Sequence, residues 1–165
     1  MRPVPEYDAK QWLLKALRET AHAMESLLSQ LDADALERRP ADDEWSCVEL
    51  VAHMREMERR YIERLERMVR DECPRICAFD ADSIAADDAP DAEDPFELAD
   101  DFGALRRQCV YLLWSLDDGD WSRQGEHPYL GLLTITQVAR EMNEHDLAHL
   151  WQLRRLCDRA EGALV

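Results

Sequence analysis

The sequence predicts an all-α four-helix bundle. Glycine is scarce, five residues in 165, while Leu, Ala, Glu and Arg recur throughout, and these favour helices. Apolar residues return at spacings of three and four in four separate stretches, which is the helical period. Helix caps stand where those stretches begin. A chain of this length fits one domain over residues 1–165, and its 46% hydrophobic content supplies a core with no disulfide or metal staple.

The first helix is expected from Tyr7 to Asp32, with Asp8 as its cap and Gln11 completing a capping box. Its apolar stripe reads Leu13, Leu17, Met24, Leu27, Leu28 and Leu31. Pro40 and Asp42-Asp43 break the chain before the second helix. That helix has the clearest start: Ser46 caps it and Glu49 follows three residues later. Leu50, His53, Met57, Tyr61, Leu65 and Met68 face inward, while Arg55, Glu56, Arg59, Arg60 and Arg67 mostly face outward, and the helix ends near Pro74.

From Pro74 to Asp94 the chain is rich in Pro, Asp and Ala and has no apolar period. Twenty extended residues reach about 65 Å, more than the roughly 39 Å of a 26-residue helix. This acidic connector can therefore cross the bundle and let the second and third helices run parallel. The third helix starts at Pro95 behind Asp94 and buries Phe96, Leu98, Phe102, Leu105, Cys109, Leu112, Leu113 and Leu116. Asp117-Asp118-Gly119-Asp120 ends it, and a loop through Gly125-Glu126-His127-Pro128 leads to the fourth helix. Thr134 caps that helix with Gln137 as reciprocal partner, and Gly162 stops it. Its inward stripe reads Val138, Met142, His145, His149, Gln152 and Leu156.

The net charge is −16. Residues 76–105 hold ten acidic side chains and no Lys or Arg, so the remainder carries an ordinary −6. Such a field repels polyphosphates and argues against a nucleic-acid partner. No run approaches the roughly 18 apolar residues of a membrane span, and the N-terminal residues lack a signal-peptide core, so a cytoplasmic protein is expected. Five cysteines, Cys47, Cys73, Cys77, Cys109 and Cys157, match no zinc-ribbon spacing and read as structural or incidental.

Three histidines stand where the pattern calls for apolar residues. His145 and His149, four apart, project from one face of the fourth helix, and His53 lies on the inward stripe of the second. An i, i+4 pair with a third imidazole from another helix is a common divalent-metal constellation. The competing reading is a structural core in which each histidine is held by hydrogen bonds. His22 lies off its helix's stripe, where solvent is expected; His127 sits in the loop before the fourth helix and could approach a pocket at the end of the bundle. Glu49, Glu58 and Gln152 could orient ligands or move protons, although capping accounts equally well for Glu49. No residue stands out as general base.

Trp45-Ser46 followed by Glu49-Leu50-Val51-Ala52-His53-Met54 resembles the opening of the second helix in DinB-like (YfiT-like) proteins. His145-Asp146-Leu147-Ala148-His149-Leu150-Trp151-Gln152 resembles their last helix, whose "H-D-x-x-H-h-x-Q" pattern supplies two metal ligands. The resemblance implies an up-down-down-up bundle, often a homodimer, with one divalent ion (Zn, Ni, Mn or Fe) on His53, His145 and His149. It further implies a hydrolase or a thiol S-transferase acting on a small molecule, the latter with a low-molecular-weight thiol as co-substrate. A non-catalytic, dimeric metal- or ligand-binding module is the alternative.

Overall fold

The computed structural model describes residues 6–78 and 94–162. Four long helices dominate: α1 (Glu6–Leu28), α3 (Cys47–Arg70), α4 (Pro95–Trp114) and α6 (Ile135–Gly162). Two short ones, α2 (Ala33–Glu37) and α5 (Asp118–Trp121), and a hairpin of β1 (Gln124–His127) and β2 (Gly131–Thr134) fill the connections.

Cross-helix contacts give the direction of each helix. Between α1 and α4, Lys10 meets Asp118 beyond the end of α4, while Leu17 meets Arg106, so these two helices run antiparallel. Arg55 reaches Asp101, Glu58 reaches Arg106 and Glu66 reaches Gln108, so α3 and α4 are parallel. Tyr61 bonds Glu141 and His53 meets His145, which sets α6 antiparallel to α3. Thr20 with Asp146 and Leu27 with Cys157 make α1 and α6 parallel. The order is up-down-down-up, as the resemblance implies and the length of the connector allows. Most of the predicted connector, residues 79–93, lies outside the described residues.

The predicted caps at three helix starts are formed. Ser46 Oγ accepts from the Glu49 backbone N–H at 3.2 Å, and the Ser46 N–H donates back to the Glu49 carboxylate at 2.8 Å. Asp94 caps α4 ahead of Pro95. At α6 the Thr134 N–H donates to Gln137 Oε1 at 2.8 Å, and the Gln137 N–H to Thr134 Oγ1 at 3.2 Å.

Other boundaries move. The first helix already starts at Glu6, which puts Asp8 inside its first turn rather than at the cap, and it stops at Leu28. The chain then re-forms as α2, which Asp32 caps by accepting from the Ala35 N–H at 2.8 Å. Asp117 does not merely end a helix: its capping box with Asp120 starts α5. Gly162 is the last helical residue instead of a stop beyond it. Phe96, expected inside, is 44% exposed because it sits in the first turn of α4 at the rim of the bundle.

The stretch read as a loop is the antiparallel hairpin β1–β2, registered with Gln124 opposite Thr134 and His127 opposite Gly131. Residues after α3 add to its edge: the Ile76 N–H donates to Glu126 O at 3.0 Å, and the Glu126 N–H donates to Pro74 O at 2.8 Å. At Gly125 a Cβ would sit 2.9 Å from Ile76 Cγ2 and 3.1 Å from Met68 Cγ, so only glycine lets the strand pass this close. The strands are only four residues long, too short for alternation to announce them.

The apolar core is split in two. One half gathers Met24, Leu28, Leu50, Met54, Leu98, Phe102 and Leu153; the other gathers Leu17, Met57, Leu65, Leu113, Ile135 and Met142. A polar layer separates them. At its centre is Arg106, 2% exposed, whose guanidinium bonds Glu58 through Nε (2.9 Å) and Nη2 (2.7 Å). It also bonds Asp146 through Nη1 and Nη2 (3.0 Å for the latter) and the Leu17 carbonyl through Nη1 (2.8 Å). Thr20 donates to the same Asp146 carboxylate at 2.9 Å. All four long helices thus meet at one side chain.

Removing one member of a buried, hydrogen-bonded ion cluster strands the others without partners. Arg106→Met should therefore lower unfolding stability by about 3–5 kcal/mol, measured by urea denaturation followed by circular dichroism. Replacing Glu58, Arg106 and Asp146 together with leucine should recover much of that loss, because no charge is then left buried.

Candidate metal centre

His53 comes from the second turn of α3, fixed in phase by the Ser46 capping box, and His145 and His149 from successive turns of α6. The antiparallel pairing of the two helices brings all three imidazoles together. His53 Nε2 lies 3.1 Å from His145 Nε2, and His149 Nε2 lies 3.0 Å from the same atom. One ring nitrogen from each residue falls within 4.8 Å of the others, and among the described residues this is the cluster that could hold a metal ion. His53 is buried, whereas His145 and His149 are half-buried, so the cluster is approached from the α6 side.

Neighbouring side chains orient the rings. His149 Nδ1 is 3.2 Å from Gln152 Oε1. An amide oxygen only accepts, so that nitrogen carries the proton and Nε2 turns its lone pair inward. The Trp45 ring stacks on His149 at 6.1 Å and lies against His53 at 4.9 Å. Tyr61 presents an edge to His145 at 6.1 Å and donates its hydroxyl proton to Glu141 at 3.1 Å. Burial and the Glu141 charge push the Tyr61 hydroxyl above its usual range, so it stays a donor. Arg64 adds a buried cation 3.6 Å from Glu141 and donates to the Cys77 carbonyl at 2.8 Å.

Burial, then the neighbouring His149, lowers the pKa of His53 to about 4. For His145 burial again leads, followed by His149, His53 and the nearby Arg106 guanidinium, and the value falls to about 3. Both rings are therefore neutral at ordinary pH, the form a metal ligand needs.

The donor set fits a divalent ion. Nitrogens at the usual 2.0–2.1 Å from a tetrahedral centre stand about 3.3–3.4 Å apart, a small adjustment from the 3.0 and 3.1 Å found here. His145 Nε2 meets two inward nitrogens at once, and a single ring proton can serve only one of them; a shared cation satisfies all three lone pairs. Three imidazole ligands also leave a coordination position open on a tetrahedral ion.

The other predicted candidates separate cleanly. Gln152 touches a histidine, whereas Glu58 is committed to Arg106 and Glu49 to the Ser46 cap and to Arg39. His22 is exposed. His127 lies in β1, away from the cluster, and its Nδ1 accepts the backbone N–H groups of Tyr129 and Leu130 to hold the hairpin turn. The thiols of Cys47, Cys109 and Cys157 are buried; burial pushes Cys47 up to about 12 and Cys109 higher still, so neither is a nucleophile. Cys73 and Cys77 are exposed.

Several contributors had no assigned role in the sequence reading: Trp45, Arg106, Glu141, Asp146 and Thr20. A signal existed for two of them. Arg106 falls on the Phe102–Cys109 stripe, and Asp146 falls one turn after Met142, charged residues where the helical period asks for apolar ones.

The sequence pattern of the DinB superfamily matches residues 16–153, a span that takes in the three histidines and the Arg106 cluster. The chain belongs to the DinB superfamily. A Bacillus subtilis relative, the uncharacterised protein YuaE, is 24% identical over 150 residues, which is 82% of this chain and 91% of YuaE. The solved structure of YfiT from Bacillus subtilis superposes with a TM-score of 0.84 at 18% identity, over 96% of this chain and 91% of that one. YfiT is described as a probable metal-dependent hydrolase with an unusual four-helix bundle topology. The likeness establishes that this DinB chain shares the YfiT fold.

The lowered histidine pKa values have a consequence for the metal-free protein. Below about 6.5 an unfolded chain takes up protons on His53 and His145, while the folded chain does not until about 4 and about 3. The unfolded state then binds more protons, so stability falls as pH drops through that window. Thermal melts of the chelator-treated protein should show this decline, and a His53→Leu variant should show a shallower one. Equal slopes would mean that His53 is not held neutral by burial.

Proposed function

We propose that this DinB protein is a metal-dependent enzyme acting on a small molecule, with one divalent ion held by His53, His145 and His149. The observation that carries this reading is the convergence of three imidazoles, with His145 Nε2 3.1 Å from His53 Nε2 and 3.0 Å from His149 Nε2, from two helices whose pattern otherwise calls for apolar residues. The chemistry a Zn, Ni, Mn or Fe ion supplies there is Lewis acidity, serving hydrolysis with water or S-transfer with a low-molecular-weight thiol. Gln152 holds His149 in the required tautomer, and Trp45 shields the rings of His53 and His149. The neutral, buried Cys47 and Cys109 thiols leave a thiol co-substrate to come from outside the chain.

YfiT, a probable metal-dependent hydrolase, supports hydrolysis, while thiol transfer rests on the motif resemblance. Among the described residues no helix is long and apolar enough to cross a membrane, which is compatible with the cytoplasmic setting that a free thiol substrate requires. Homodimer formation is part of the same proposal, and Trp12, Tyr111 and Trp114 expose their rings on α1 and α4, where a second copy could cover them.

Protein purified without chelator or histidine tag should contain about one divalent ion per chain by elemental analysis. His53→Ala and His149→Ala should each lose it while keeping the helical circular dichroism. Metal bound without turnover of esters, amides or thiol–electrophile pairs would leave a ligand-binding module. No metal after incubation with each ion would sink the three-histidine site. Light scattering should give twice the chain mass, falling to the chain mass when Trp114 is replaced by Glu; a monomer in the wild type would remove the dimer.

A further inference from the structure

We infer that the groove on α6 that shares Gln152 with the histidine cluster is a carboxylate-recognition site, which holds the anionic end of a small, partly apolar substrate on Arg155. The substrate role rests on the enzymatic reading above; the binding site itself stands on its own residues.

The groove measures about 570 Å³ and is joined to the cluster through Gln152. That side chain lines the groove while its Oε1 accepts from His149 Nδ1, which leaves the amide NH2 as a donor. Ala148, Gln152, Arg155 and Arg159 follow one another at spacings of four, three and four. They form a stripe immediately beside that of His145 and His149. A ligand lying along this stripe therefore runs alongside the cluster.

Charge selects the ligand. Arg159 donates through Nη1 to both carboxylate oxygens of Glu44, at 3.0 and 2.8 Å. Arg155, by contrast, is exposed and makes no ion pair or hydrogen bond among the described residues. A groove guanidinium with no carboxylate partner of its own can take an external one. The planar fork of arginine matches a carboxylate with two parallel N–H···O bonds. One uncommitted cation suits a monoanion; a phosphate dianion would ask for a second and would be repelled by the surrounding charge. The Glu44 carboxylate, neutralised by Arg159, lines one side of the groove, and Ala148, Leu156 and the 68% exposed Trp151 complete it. An exposed indole in the groove offers a flat face for stacking an apolar or aromatic body.

The test uses phenylacetate and its neutral amide, phenylacetamide, titrated into the full-length protein by ligand-observed NMR. The acid should bind about tenfold more tightly than the amide, the difference expected of hydrogen bonds to a charged group. Arg155→Gln should erase the preference while metal content stays unchanged. With manganese loaded, the ion should broaden the phenylacetate resonances, and His149→Ala should abolish the broadening. Equal binding of acid and amide, or a preference that survives Arg155→Gln, overturns the inference, as does broadening absent from manganese-loaded wild type. If the protein takes up no metal but the Arg155-dependent preference persists, the recognition site stands and the metalloenzyme reading falls.

Discussion

Everything in this bundle is arranged around the burial of one guanidinium. Arg106 lies where a bundle would ordinarily place leucine, and its charge could not stay there without compensation. Two carboxylates, one backbone carbonyl and the Thr20 hydroxyl supply it, one contribution coming from each of the other long helices or through Asp146. Burial works against the charged form, but Glu58 and Asp146 outweigh it and hold Arg106 ionised above its usual range. A cluster with so many geometric conditions permits little sliding or rotation. An apolar core tolerates a helix turned by some tens of degrees, whereas a bidentate pair does not.

That constraint reaches the candidate site through chain connectivity. Asp146 is the residue after His145, so fixing its carboxylate on Arg106 sets the rotation of α6 and aims His145 and His149 at α3. On α3, Glu58 does the same for His53, five residues earlier, while the Ser46 cap sets where the helix begins. The histidines therefore occupy the edge of the same polar layer. The Arg106 charge contributes to keeping His145 neutral, and burial contributes more. Structure and site chemistry share one set of electrostatic interactions.

The likeness to YfiT shows how little sequence this architecture demands. At 18% identity the backbones agree with a TM-score of 0.84. A bundle needs apolar residues at the right period, helix starts in the right places and a connection long enough to let two consecutive helices run parallel. Many sequences meet those conditions. The polar layer and the histidines are more demanding, because each of their atoms needs a particular partner at a particular distance.

The four long helices, their order and the histidine triad were legible in the sequence because they depend on local rules. Periodicity marked Leu50, Met57, Leu65 and Met68 as one face, capping chemistry marked Ser46 and Thr134, and a four-residue spacing put His145 beside His149. Secondary elements too short to repeat a pattern, α2, α5 and the hairpin, were not legible; nor was the exposure of Phe96, since a helix rim has no signature of its own. Apolar periodicity marked most of each helix's inward face, but not the buried Arg106 and Asp146. Packing between helices settled that Glu58 and Asp146 belong to Arg106 and that Trp45 covers the cluster. The Arg106 pairs and the Trp45–His149 stack join residues 40 to more than 100 positions apart, and no local rule constrains which distant partners packing will bring together.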